Sequence, residues 1–327
     1  MLRYLGRKVL SWFVMIFVAT NLVYFLASAF LDPRANYFGR RPPVPESQVD
    51  AILTPMNLND KVPILERWWA WLKGILLHWD WGQGFVQKSV NDAISHRMWV
   101  SAELVMGATI LAVIVGVALG VYTASRQYKL SDRIWQAVSL VAMNTHTVVA
   151  AVVLVFLAVQ INRATGHTIF YVTGNAGGAT TNIFAALLQL FQKLALPTIS
   201  LVFISYASYH LTQRSLLLDN IEMDYVRTAR AKGLTRHQAI RKHALRTSII
   251  PVATSVAFSI PGVFTGATLT ESIYAWQGMG QYLVQTISKN DVNGVVATAA
   301  FTAVLTAVGA ILSDIFVVAL DPRVRVS

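Results

Sequence analysis

The sequence predicts an all-α polytopic membrane protein with six transmembrane helices, and three observations carry that reading. Of 327 residues, 55% are hydrophobic and only 13% are charged, against about 25% charged in an ordinary soluble domain. Six stretches run free of Asp, Glu, Lys and Arg for roughly the 20 residues a membrane helix needs: Val9–Leu31, Leu104–Ser125, Ile134–Asn162, Leu194–Gln213, Thr247–Thr270 and Val292–Ser313. Lys and Arg are also distributed unevenly among the joining segments, as orientation signals are. Mean hydropathy is +0.51, which excludes a disordered chain. Zero cysteines exclude disulfide scaffolds, thiolate metal sites and thiol nucleophiles. The net charge of +11 raises nucleic-acid binding, but the basic residues border apolar segments instead of forming one basic face, so no nucleic acid is expected as a partner.

The first span begins like a signal peptide, with Arg3, Arg7 and Lys8 ahead of an apolar run and Ala27-Ser28-Ala29 mimicking a cleavage site. The run from Val9 to Leu31 exceeds a signal h-region, so an uncleaved span is expected. Between the first and second spans lies the segment 32–98, with six of the ten prolines and the tryptophans Trp68, Trp69, Trp71, Trp79 and Trp81. Its stretch Glu66–His78 has the spacing of a short amphipathic helix. Those tryptophans fit an interfacial belt or a small core, and alternatively a docking surface. A charge-free stretch from Ala164 to Gln192 is punctuated as loop by Thr173-Gly174-Asn175-Ala176-Gly177-Gly178. Only its end, Ile183–Phe191, leads into the fourth span.

Orientation follows from the short loops. With the N-terminus inside, inner segments hold Arg3, Arg7, Lys8, Arg126, Lys129, Arg133, Arg323, Arg325 and eight basic residues between Arg214 and Arg246, whereas the short outer loops hold Arg163, Lys193 and Lys289. Both termini are expected in the cytoplasm. The chain thus divides into 1–31 (cytoplasmic N-terminus and first span), 32–98 (an extracytoplasmic insertion) and 99–327 (a core with five spans and a large cytoplasmic loop at about 214–247).

That loop has internal order. Asp219-Asn220-Ile221-Glu222 reads as an N-cap followed by an acid three residues on. The helix it opens should run to about Lys232 and stop at Gly233, the residue that accepts a left-handed C-terminal conformation. Thr235-Arg236-His237-Gln238 has capping-box form and opens a second helix. Ile221, Tyr225, Thr228, Ala229 and Lys232 should share one side. A capped helix with small residues on one face and arginine on the other suits a groove on another protein.

These residues resemble a known family. Asp224-Tyr225-Val226-Arg227-Thr228-Ala229-Arg230-Ala231-Lys232-Gly233-Leu234, followed by His243-Ala244-Leu245-Arg246 and Ile250-Pro251, is similar to the EAA loop of bacterial ABC importer permeases, closest to the oligopeptide/dipeptide/nickel branch and to the first, B-type permease of its pair. Where the general loop has Glu-Ala-Ala and Gly, this chain has Arg227-Thr228-Ala229 and Gly233, as that branch does. Four further elements resemble the branch in order: Trp79-Asp80-Trp81-Gly82-Gln83-Gly84-Phe85; Gly116-Val117-Ala118-Leu119-Gly120 with Asp132-Arg133; Glu271-Ser272-Ile273-Tyr274-Ala275-Trp276-Gln277-Gly278-Met279-Gly280; and Asp321-Pro322-Arg323. Asn144-Thr145-His146 departs from it, standing where the branch has Ser-x-Pro.

The resemblance implies a type I importer permease fold in the bacterial inner membrane. It implies a second, homologous permease subunit, two ATP-binding subunits or one fused ATPase, and an extracytoplasmic substrate-binding protein delivering dipeptides or oligopeptides. Nickel or another small solute is the alternative cargo within the branch. The chain has no Gly-x4-Gly-Lys-Ser/Thr loop, so it is not expected to be an enzyme or to hold a cofactor; ATP and Mg belong to the partners. The resemblance makes the helix at about 219–233 the ATPase-coupling element, with Asp224, Tyr225, Arg227, Thr228, Ala229, Arg230, Lys232 and Gly233 as its candidate residues and no catalytic or metal residues.

Ionisable groups at membrane depth are functional candidates by default. Of Glu103, His146, His210, Glu271 and Asp314, His146 and Glu271 are the candidates for the pathway lining. Gly107, Gly116 and Gly120, and Gly262 with Gly266, have spacings that let spans pack closely. A stand-alone transporter would want broken helices repeated in two halves, and no such symmetry is visible. A membrane enzyme would want a constellation of catalytic groups; His237 and His243, six apart, lack the i,i+4 spacing of a helical metal pair.

Overall fold

The computed structural model describes residues 2–39, 41–174, 182–265 and 267–320. The helices are α1 (Leu2–Phe30), α2 (Glu46–Leu53), α3 (Ile64–His78), α4 (Val90–Ser125), α5 (Leu130–Asn144), α6 (Thr147–Thr165), α7 (Ile183–Ile221), α8 (Asp224–Ala231), α9 (Arg236–Ala239), α10 (Leu245–Thr265), α11 (Thr268–Ile273), α12 (Met279–Ser288) and α13 (Val292–Leu320). No strand occurs among the described residues. The protein is all-α, and its six spans are α1, α4, α5 with α6, α7, α10 and α13. The 21 residues of α10 reach about 31 Å at 1.5 Å per residue, enough for the hydrocarbon layer. Two spans sit inside longer helices: α4 has 36 residues and α7 has 39, so each projects beyond a bilayer.

The third span, expected as one helix over Ile134–Asn162, is two. At the end of α5 the Asn144 amide donates to the Leu140 carbonyl at 2.7 Å and the Thr145 hydroxyl to the Val141 carbonyl at 2.7 Å. Short polar side chains turned back onto the preceding turn favour a helix end over continuation. His146 is then the N-cap of α6, its Nδ1 accepting from the Val148 N–H at 3.3 Å. α6 ends at Gly166, whose φ of 68° is left-handed.

The bundle is built around α4 against α7, with α13 packed on α1 and α10. Gly116 and Gly120 make the first contact possible. A Cβ at Gly116 would lie 2.6 Å from Tyr209 Cβ and 2.7 Å from the Tyr206 carbonyl oxygen, so these two glycines set the approach. Gly107, expected to act with them, has open space beside it. Gly262 and Gly266 lie outside the residues whose packing is described. Lys8 of α1 pairs with Asp314 of α13, which puts the starts and ends of the bundle on one side. Outward faces carry large apolar residues such as Phe13, Val14, Ile110, Ile114 and Val152, as expected of surfaces in contact with lipid or membrane partners.

The segment between α1 and α4 is an extension of the spans it joins. Tyr24 and Ala27 of α1, Leu53, Leu58, Trp71 and Leu72 of the segment, and Val292 and Val296 of α13 form one buried cluster. Trp68 donates from Nε1 to Asn21 of α1 at 2.6 Å, and Trp71 lies 4.7 Å from Tyr24, centroid to centroid. Of the five tryptophans Trp71 is core, whereas Trp69 and Trp79 remain half or more exposed.

The upper part of this segment is held by charge. Arg34 pairs with Asp50 and Asp60, and Lys61 donates to Asp50 at 2.7 Å. Lys61 and Arg34 hold the Asp50 carboxyl below the usual carboxylate range. A depressed carboxylate adds stability that is complete above its unfolded value of about 3.9 and is lost as pH falls through the folded one. Amide exchange across 33–60 is therefore expected to accelerate below about pH 4, and Asp50→Asn to remove much of that acid dependence. Equal acid sensitivity in both forms would place the responsible group elsewhere.

Candidate functional site

The long helix α7 carries the large loop away from the bundle. Asp219, expected to be the N-cap of the next helix, lies in the last turns of α7, because Leu217 stays fully buried and the apolar pattern runs on to Ile221. The true N-cap of α8 is Met223, with no side-chain bond; Asp224 in the first turn and Arg230 in the last complement the helix dipole instead. Tyr225 donates to Asn220 Oδ1 at 2.6 Å and so ties the new helix to the end of the old one. Gly233 has φ of 94° and follows α8 where a left-handed stop was expected. The capping box at Thr235 is present, with Gln238 N to Thr235 Oγ1 at 3.3 Å and Thr235 N to Gln238 Oε1 at 3.0 Å. A π-helical turn over Ile240–Ala244 joins α9 to α10.

Packing sorts the residues of α8. Val226 and Ala229 are buried in a cluster with Ala124 of α4, Leu217 of α7, and Ala239, Ile240 and Ala244. Ala229, expected among the docking residues, is 6% exposed and belongs to its own chain's core. Sequence reasoning passed over Val226, its partner three residues earlier on the same helix face. Asp224, Tyr225, Arg227, Thr228, Arg230, Lys232 and Gly233 are all exposed. Arg227 stands 3.9 Å from Asp224 with both side chains largely in solvent; such a pair contributes about 0–1 kcal/mol and leaves the guanidinium available. The arrangement is a short helix, open on most of its circumference, anchored by two small side chains to the ends of three spans.

Behind it lies a polar clamp that the sequence did not announce. Asp132 at the start of α5 is 1% exposed and takes Arg214 of α7 in a bidentate pair at 2.8 and 2.9 Å. Gln136 and the Tyr128 N–H complete its shell. One layer deeper His210, fully buried, sits 3.0 Å from Thr123 Oγ1 of α4 and 2.6 Å from Ser139 Oγ of α5. Gln213 donates to Ser248 of α10 at 2.9 Å. The α7 spacing 210, 213, 214 is the detectable signal: three polar residues on one helical stripe.

Of the two pathway candidates, Glu271 faces no open space within this chain. It is fully buried in α11, where Ser101 Oγ donates to one carboxylate oxygen at 2.6 Å and the Gln281 N–H to the other at 3.0 Å. Burial pushes its carboxyl up, opposed by these donors and by Gly280 N–H. Ser101 Oγ also accepts from Met279 N–H at 2.8 Å, so Glu271 fastens the Gly278-Met279-Gly280 turn to α4. His146 is exposed at the break in the third span. A second tie of this kind was missed: Asp291 accepts from Phe85 N–H at 2.8 Å, and Asn293 donates to Gln83 and Met56 carbonyls at 2.9 Å. A Cβ at Gly82 would lie 2.8 Å from Asn293 Nδ2, which explains a glycine in that Trp-rich motif.

This geometry joins independent likenesses. Residues 116–326 match the family described as binding-protein-dependent transport system inner membrane component. The oligopeptide transport system permease protein OppB of Mycobacterium tuberculosis (strain ATCC 25618 / H37Rv) is 36% identical over 328 residues, covering 100% of both chains. OppB of Escherichia coli (strain K12) is 28% identical over 99% of this chain and 100% of its own. The oligopeptide transport system permease protein AppB of Bacillus subtilis (strain 168) is 28% identical over 87% of each. The matched region takes in α8, the clamp behind it and four of the six spans, and the chain belongs to the binding-protein-dependent transport system inner membrane component family, the multi-pass permeases of ABC importers.

Proposed function

We propose that the chain is one of two similar membrane subunits of an ATP-driven peptide importer, with both termini and α8 in the cytoplasm and the 32–98 insertion outside. The observation that carries the mechanism is α8 itself: exposed along Tyr225, Arg227, Thr228 and Arg230, yet packed through Val226 and Ala229 on the ends of α4, α7 and the turn before α10. A groove on an ATPase that seats this helix could not move it without moving those spans, which is how a rigid element biases a two-state bundle. ATP and Mg are held by the ATPase pair, or by one fused ATPase, and an extracytoplasmic binding protein delivers the cargo. Peptide as cargo is supported by the names of the relatives; nickel or another small solute is the alternative.

The test is purification of the complex in mild detergent from its own membranes. A second permease, ATPase subunits and peptide-stimulated hydrolysis in the presence of the binding protein are the expected result. A chain that purifies alone and transports in liposomes without ATP sinks the reading. Within it, Gly233→Leu separates coupling from folding. No atom crowds Gly233, so leucine there is opposed only by the left-handed backbone, at about 1–2 kcal/mol. The variant should insert and assemble but lose peptide uptake, whereas normal uptake would remove α8 from the coupling role.

A further inference from the structure

His210 sits where three spans meet, and its hydrogen bonds assign one proton to the ring. Thr123 of α4 has a single hydroxyl proton, which goes to the Leu119 carbonyl at 2.8 Å, the back-bond open to a helical threonine. Thr123 Oγ1 is therefore an acceptor toward His210 Nε2 at 3.0 Å, so Nε2 carries the N–H. The other nitrogen, Nδ1, stands 2.6 Å from Ser139 Oγ of α5 and accepts the serine proton. A neutral imidazole that donates to α4 and accepts from α5 thus joins both spans to α7.

A second proton would meet no free counter-charge. The ring is fully buried, as are Thr123 and Ser139. Two charged groups face it, Arg214 one turn further along α7 and Asp132 from α5. From α4 it meets Thr123, and α10 reaches this layer with Ser248 on Gln213; neither is charged. Asp132 is saturated: Oδ1 accepts from Arg214 Nε and Gln136, and Oδ2 from Arg214 Nη2 and the Tyr128 N–H. An imidazolium here is a buried cation beside a guanidinium, and an unpaired buried charge costs far more than a neutral ring. Parting of the helices toward water relieves that cost. The closed arrangement holds one ring proton and the opened one two, so acid favours opening. By linkage the closed-to-open ratio falls up to about tenfold per pH unit below the ordinary histidine value of about 6.5.

We propose that His210 is an acid-sensitive latch at the cytoplasmic end of the bundle. Neutral, it holds α5 to the α4–α7 pair; protonated, it releases α5 and slows import. The effect on import rests on the coupling role proposed above, whereas the latch itself does not. Spin labels are placed by cysteine substitution at Arg133 of α5 and Ser215 of α7, both exposed, in a chain with no cysteine of its own. The assembled importer is then measured in vesicles at about pH 7.5 and about pH 5.5, either side of the histidine value. A longer α5–α7 spacing is expected in acid, reversible on neutralisation and absent in His210→Gln, whose amide keeps a donor and an acceptor but gains no proton. Peptide uptake should fall about tenfold in acid relative to that variant. Ser139→Ala removes the donor to Nδ1 and weakens the closed state, so it should open at a higher pH than the parent, a check that stands even where the glutamine variant fails to assemble. A parent spacing indifferent to pH, the same acid response in His210→Gln, or opening of Ser139→Ala at the parent's pH overturns the latch. Spacing that opens in acid with uptake unchanged upholds the latch and counts against the coupling role of this end of the bundle, so the two readings fail separately.

Discussion

Replacing Asp132 with alanine should destabilise the permease by about 3–5 kcal/mol, the range for breaking one side of a buried ion pair. Alanine leaves the Arg214 guanidinium, 16% exposed, without the two carboxylate oxygens it now meets at 2.8 and 2.9 Å. The Tyr128 N–H and the Gln136 amide lose their acceptor at the same time. In thermal unfolding the midpoint should fall on the order of 10 °C. The larger consequence is mechanical: the pair ties the start of α5 to α7 just before α7 delivers α8, so the surviving fraction should also show reduced uptake per ATP hydrolysed. Asp132→Leu combined with Arg214→Leu separates the two effects. Apolar replacement of both partners of a buried pair is often close to neutral in stability, so the double variant should regain most of the midpoint. A single variant as stable as the parent would mean that the pair does not hold these helices.

What could be seen in the sequence was what is decided locally. The spans show because a bilayer excludes charge along a whole segment. Gly233 and the Thr235 capping box show because their conformations depend on neighbours three or four residues away. The errors arise where tertiary packing outvotes local signals. Asp219-Asn220-Ile221-Glu222 has the composition of a cap, but burial of Leu217 keeps the chain in α7 for two residues beyond Asp219. Ala229 looked free because it is small, and smallness is what lets it pack on Ala124 and Ala239. The third span looked continuous because Asn144 and Thr145 are uncharged, although their side chains favour ending a helix. Glu271 with Ser101, and Asp291 with Phe85, bring together residues 170 and 206 apart, and no spacing rule within one segment reaches that far. The motif residues were noticed without their partners, so glycines read as family signatures turn out to be places where a side chain would strike Asn293, Asp291 or Glu271.

Gly120→Leu, compared with Gly107→Leu on the same helix, tests whether close approach of α4 and α7 is what the coupling end depends on. At Gly120 a Cβ would come within 2.7 Å of Gln213 Cβ and 2.9 Å of the His210 carbonyl oxygen. A backbone carbonyl inside α7 cannot rotate away, so leucine must push the helices apart. Overpacking of this kind typically removes about 1–3 kcal/mol, occasionally more. Here separation also opens the contacts that depend on it: Thr123 with His210 at 3.0 Å, and Ala124 with Leu217 and Val226 beneath α8. Buried His210 would keep Ser139 but lose its α4 partner, which adds the penalty of an unpaired buried group. The expected result is a markedly lower yield of folded protein and loss of ATPase association in whatever remains. Gly107 has nothing within 4 Å of its Cβ position, so the same leucine there adds apolar surface to a span and should leave folding, assembly and uptake close to those of the parent. Because both substitutions raise hydrophobicity equally, equal behaviour of the two variants would show that membrane insertion, and not the α4–α7 contact, governs the outcome; divergence places the requirement in the packing that positions α8.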